Sequence, residues 1–165
     1  MKRVTLMPLL AIVAILNFTS CSTETFPEDD IKAVELKTPP QAKEIEIEIL
    51  ELINEYRIQN GMNALGNHGT VKAVAYTHTD YMIEVDDVSH DNFYQRKLSL
   101  QQNADAQVVS ENVAYGFSSA ESVVNAWLNS PGHKDNIEGD FTDFDISAEK
   151  NEEGKWYFTN MFIKR

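Results

Sequence analysis

Apolar positions over residues 41–60 fall on one stripe. Ile45, Ile49, Leu52, Ile53 and Tyr56 recur at steps of four, three, one and three, the period of a helix with one buried face. The run from Glu44 to Ile49 also alternates as a strand would. The helical period continues past it, however, and Asn60-Gly61 supplies a stop. A second helix is predicted over about 70–85, with Val71, Val74, Ala75, His78 and Met82 on one face, and a shorter one over 93–101. Val108 to Tyr115 is β-like and ends at Gly116. Ser119 is placed to cap a helix through Leu128, with Glu121 in its first turn, and Ser130-Pro131-Gly132-His133 opens another short helix. Phe141–Glu149 and Lys155–Ile163 read as two strands joined through Asn151–Gly154, whereas Gly66-Asn67-His68-Gly69 reads as a surface turn in which His68 has no role. Helices first and short strands last predict an α+β domain, a mixed sheet covered by helices.

The N-terminal pattern is different. Met1-Lys2-Arg3 is followed by a run from Leu6 to Leu16 that is apolar except at Pro8, then by small residues before Cys21. A basic start, an apolar run of about 7–15 residues and a small-residue site make a secretory leader. The run is shorter than the ~20 residues a spanning helix needs. Phe18-Thr19-Ser20-Cys21 resembles a relaxed bacterial lipoprotein box, with Phe18 where leucine is usual. Cys21 is then the lipid (palmitate) attachment point and the new N-terminus; the other reading is a secreted protein with one stray thiol. The chain has a single cysteine, so no internal disulfide framework exists in an oxidising destination.

Residues 21–40 carry Glu24, Glu28, Asp29, Asp30 and three prolines. Such a stretch buries too little apolar surface to offset its ordering entropy, and it reads as a flexible tether. The expected organisation is a leader over 1–20, a tether over 21–40 and one domain over 41–165. The formal charge is −12, and leader removal takes away Lys2 and Arg3 but no acid. That charge argues against nucleic acid as a partner and against electrostatic attraction to anionic membranes. Membrane attachment is expected through the lipid on Cys21. Ser22 lacks the aspartate associated with inner-membrane retention, so the outer membrane is favoured over the inner.

Four histidines are the natural place to seek chemistry. His78 lies on an apolar helical stripe, where a histidine is either a hydrogen-bonded core residue or a pocket wall. His133 falls in the first turn of its helix, where the positive end of the dipole favours a neutral ring. Glu111 sits in mid-strand between Ser110 and Asn112; either its face is solvated or it has a partner. His90, Glu111 and His133 stand about twenty positions apart, which is no metal signature. Asp140, Asp143 and Asp145 lack the pattern of a calcium loop.

The words around these residues are more specific. Leu52-Ile53-Asn54-Glu55-Tyr56-Arg57, Ser89-His90, Ser110-Glu111-Asn112-Val113-Ala114-Tyr115-Gly116, Ala126-Trp127-Leu128-Asn129-Ser130-Pro131-Gly132-His133 and Trp156-Tyr157-Phe158-Thr159-Asn160 follow in order. Over about residues 47–163 they resemble the bacterial branch of the CAP superfamily, also called SCP or PR-1-like. The resemblance implies a three-layer α-β-α sandwich with a central mixed, mainly antiparallel sheet and a cleft lined by histidines and glutamates. It places His90, Glu111 and His133 in that cleft, with His78 beside them. Ser110 replaces a usual glycine, Asn129 stands where a second cleft glutamate is common, and Asn160 replaces a usual glutamine. Asp145 and Ser147 occupy a strand that is commonly Gly-Val-Gly-like.

Two histidines and a carboxylate suit either a divalent metal such as zinc with an open position or a hydrogen-bond network with water. No serine or cysteine nucleophile is evident. Three functions follow: a lipid-anchored, non-enzymatic binding module for a metal, small ligand, lipid or peptide; a metal-dependent, peptidase-like hydrolase with Glu111 as catalytic general base; or a structural envelope protein.

Overall fold

The structure, a computed structural model, describes residues 32–165. The expected leader, Cys21 and the first part of the tether lie outside the described residues. Five helices and four strands follow in the order α1 (Glu44–Gln59), β1 (Gly66–Asn67), α2 (Gly69–Val85), α3 (Phe93–Asn103), β2 (Val108–Tyr115), α4 (Ala120–Leu128), α5 (Pro131–Glu138), β3 (Asp143–Lys150) and β4 (Trp156–Lys164). The helical periods and caps predicted above correspond to these elements. Ser119 accepts a hydrogen bond from the Ser122 backbone N–H at 3.2 Å, and Pro131 opens α5.

The sheet order is β1-β3-β4-β2. β4 pairs antiparallel with both β2 and β3, and β1 pairs parallel with β3. β1 is missing from the sequence reading. Gly66 and Asn67 are hydrogen-bonded strand residues rather than a free turn, and two residues are too few for any apolar alternation to reveal. His68, expected at the surface, is half-buried where α2 begins, and its Nδ1 is buried without a hydrogen-bond partner among the described residues.

Each face of the sheet carries a helical layer. Ile49 and Ile53 of α1, Val123 and Trp127 of α4 and Ile137 of α5 pack on Phe144, Ile146, Phe158 and Phe162. Val71, Val74 and Ala75 of α2 and Leu100 of α3 pack on Met161 and Ile163. Strand β4 alternates between the two cores, which explains why its interior is buried throughout. Arg57, at the end of α1, is buried and donates to the carbonyls of Ile137 (2.6 Å), Gly139 (2.9 Å) and Asn63 (2.9 Å). It satisfies the last carbonyls of α5 and ties the two helix ends together.

The packed unit begins before the expected boundary at residue 41. Leu36 packs against the α2/α3 core, the Lys37 backbone N–H donates to Thr77 Oγ1 at 3.0 Å, and Ser99 Oγ donates to the Val34 carbonyl at 3.3 Å. Val34 and Leu36 give residues 34–37 an apolar reason to lie down that the acidic residues before them lack.

Candidate functional site

Strand β2 is the sheet edge on which the site is built. Alternation along it sends Glu111 to the α2/α3 side, opposite Met161, and Asn112 to the α4/α5 side, opposite Asn160. Beside it, the loop from Asp86 to Asn92 joins α2 to α3. Both of its ends adopt the left-handed conformation, Asp86 at φ 52° and Asn92 at φ 60°, which Asp and Asn tolerate better than most residues. This loop carries His90 to Glu111.

Glu111 is the centre of the cluster. His90 Nδ1 lies 2.8 Å from Glu111 Oε1. Since a carboxylate only accepts, Nδ1 carries the proton, and no hydrogen bond engages the ring's Nε2 among the described residues. Arg96 of α3 reaches the same carboxylate with Nε to Oε2 at 2.7 Å and Nη2 to Oε1 at 2.7 Å. His78 Nε2 donates to the Ser89 carbonyl at 2.8 Å. It stands 4.0 Å from Glu111 Oε1, beyond hydrogen-bond range. Burial holds the His78 ring below its ordinary range despite the nearby carboxylate. His78 is therefore neutral at neutral pH, and its approach to Glu111 is not an ion pair. Burial also pushes Glu111 upward, but the His90 hydrogen bond and the charge and hydrogen bonds of Arg96 outweigh it and hold the carboxyl below its usual range.

His133 arrives from the other helical layer. Its own carbonyl accepts from Asn112 Nδ2 at 3.0 Å, and Asn136 Nδ2 donates to the Glu111 carbonyl at 3.1 Å and to Asn112 Oδ1 at 2.8 Å. Ser110 donates its hydroxyl to Asn136 Oδ1. These bonds lock α5 against β2 and fix the first turn of α5 near His90. Burial first, and the neighbouring His90 second, lower the His133 pKa. Its ring stays neutral at neutral pH.

The sequence reading missed Arg96, Asn112 and Asn136. One signal pointed to Arg96: it lies three residues after Phe93 and four before Leu100, on the apolar stripe of its helix. An arginine on such a stripe needs a buried partner. Asn129 donates its amide to the Asn125 carbonyl at 2.8 Å at the end of α4. Asn160 donates to the Asp145 carbonyl at 2.9 Å, and its Oδ1 is buried without a hydrogen-bond partner among the described residues.

A divalent metal does not fit these donors. Both oxygens of Glu111 are bonded to the Arg96 guanidinium, so a second cation there would meet a fixed positive charge. Among the described residues no three His, Cys, Asp or Glu side chains gather as a metal would need. The aspartates considered for calcium are also dispersed: Asp140 pairs with Lys164, Asp143 with Arg165, and Asp145 lies in the interior.

The family model of the cysteine-rich secretory proteins, CAP, matches residues 50–162. The chain belongs to the CAP family. A Bacillus subtilis relative, named "uncharacterized membrane protein YlbC", is 32% identical over 73% of this chain and 34% of its own. The chain thus spans about a third of the length of that curated relative. Among solved structures, an outer surface protein of Borrelia burgdorferi superposes with TM-score 0.65 at 27% identity, covering 71% of this chain and 90% of its own. An extracellular protein of Bacillus anthracis containing an SCP domain superposes with TM-score 0.64 at 25% identity, covering 73% of this chain and 40% of its own. The α-β-α sandwich of this chain is the CAP architecture.

Proposed function

We propose that this CAP domain is exported, held at the cell envelope by a lipid on Cys21, and acts as a non-enzymatic binding module. Its cleft would recognise a small ligand through the ring edges of His90 and His133. The observation that supports this most is the commitment of Glu111: its two oxygens take three hydrogen bonds, from His90 and Arg96. A carboxylate so held, and with its pKa lowered, is a poor general base. The rings of His90 and His133 remain as groups that donate or accept hydrogen bonds. Export and envelope attachment draw support from the leader and box before Cys21 and from relatives described as membrane, outer surface and extracellular proteins. Among the described residues no helix is long and apolar enough to cross a membrane. The outer membrane is the proposed location.

Burial of Glu111 and Arg96 also favours a second reading, a structural envelope protein whose cluster only stabilises the core. Native mass spectrometry of the full chain after exposure to an envelope extract separates the two. The binding reading predicts a retained small molecule that a His90→Ala, His133→Ala pair loses at unchanged melting temperature. Retention of nothing by the wild type, with a lowered melting temperature in the pair, supports the structural reading. Turnover of peptide or ester substrates that disappears in Glu111→Gln would instead establish a hydrolase.

A further inference from the structure

The far edge of the sheet carries a feature that the cleft does not use. Strand β1 covers only the first two residues of β3, so among the described residues the backbone of β3 beyond Phe144 has no strand neighbour on that side. Side chains cover it instead. Lys72 of α2 donates to the Ile146 carbonyl at 2.6 Å, Glu46 of α1 accepts from the Ala148 N–H at 2.8 Å, and the two side chains pair at 2.6 Å. This blocks strand addition at the edge. Above it runs a groove of about 870 Å³, lined by Ile47, Leu50, Glu51, Ile58, Lys72 and Asp145 among others. The volume falls within the ~300–1,000 Å³ range of ligand pockets.

Two properties of the groove point to its occupant. The first is an apolar wall left over from the core: Ile47 and Ile58 of α1 are 47% and 61% exposed. Glu51 lies between them on the same helical face. The second is an uncompensated buried carboxylate. Asp145 is only 8% exposed, and its carboxylate accepts from the backbone N–H of Ile146 at 2.9 Å. No side-chain hydrogen bond reaches it among the described residues. Lys72, the one basic residue lining the groove among the described residues, is committed to Glu46 and to the Ile146 carbonyl. With Glu46, Glu51, Glu55 and Asp145, the lining holds four carboxylates against that one ammonium.

We propose that this groove docks a basic, partly apolar peptide segment, with a lysine or arginine directed at Asp145 and apolar side chains on Ile47 and Ile58. A buried carboxylate without a cation of its own gains most from a desolvated cationic partner. The exposed isoleucines reward an apolar flank that a simple polyamine lacks. The groove lies at the β1/β3 edge and the His90–Glu111 cluster at the β2 edge, so the two are independent.

Fluorescence anisotropy on the full chain tests this. The probes are a labelled peptide of alternating leucine and lysine and its leucine–glutamate counterpart, with spermidine as competitor. The basic peptide should bind with micromolar Kd, and its affinity should fall about tenfold in Asp145→Asn and again in Glu51→Gln, Glu55→Gln. His90→Ala should leave it unchanged. The exposed double variant keeps the test sound if Asp145→Asn misfolds, which thermal melting would reveal. Absence of binding, equal affinity for the acidic peptide, an affinity unmoved by the double variant, or full displacement by equimolar spermidine would each overturn the proposal.

Discussion

Arg96 grips Glu111 by both carboxylate oxygens, at 2.7 Å each, with the two side chains only 2% and 1% exposed. Breaking a buried pair by removing one partner leaves an uncompensated charge and costs about 3–5 kcal/mol. Arg96→Met should lose stability of that order in urea unfolding at pH 7. The loss should shrink toward pH 5, because a buried Glu111 without Arg96 takes up a proton more readily. Arg96→Lys keeps the charge but not the fork, and should recover only part of the loss.

Acid should weaken the fold in two stages. His78 and His133 have pKa values held below the ordinary 6.5 by burial. The unfolded chain therefore binds their protons first, and stability starts to fall as pH drops below 6.5. Glu111 has a folded pKa below the ordinary 4.5, so its contribution is present above 4.5 and is lost as pH falls through the lowered folded value. Stability measured across this range should show both declines. His78→Gln, whose amide can still donate to Ser89, should flatten the first and spare the second.

Asp145 should behave with the opposite sign. Burial raises its pKa above 3.8, against the backbone N–H groups and Lys72, while Glu46 adds to the rise. The folded state then keeps the proton longer than the unfolded one, and stability falls as pH rises from 3.8 through the folded value. Asp145→Asn should be more stable than wild type at pH 7 and no more stable below pH 3.8. A melting-temperature difference that does not vary with pH would refute this.

Asn136 fastens α5 to β2 through Glu111 and Asn112. Asn136→Ala leaves part of the fully buried Asn112 side chain unsatisfied, a loss of about 1–3 kcal/mol. It should also move the His133 ring resonances while leaving those of His78 in place.

Local pattern made the helices, the three long antiparallel strands and the Ser119 cap legible, because each is encoded within its own segment. Strand β1 was not legible, since Gly66 and Asn67 become a strand only through Asp143 and Phe144. In the candidate site, the words around His90 and Glu111 marked two side chains that lie at hydrogen-bond distance, while His133 joins β2 through its backbone carbonyl on Asn112. Arg96 escaped notice because its partner lies fifteen positions away, across an element boundary. That one residue changes the chemistry: two histidines and a carboxylate suggest a metal, whereas a guanidinium on the carboxylate commits Glu111 to His90 and Arg96. Residues 34–37 show the same limit, because their composition reads as tether while Leu36 finds the core.

The most direct test is a zinc titration of the full chain by calorimetry, with the ring nitrogens of His90 and His133 followed by NMR. With Glu111 held by Arg96, zinc should produce no stoichiometric heat and leave both rings unshifted at micromolar concentrations. One zinc bound per chain with micromolar affinity, lost in His133→Ala and in Glu111→Gln, would contradict the account.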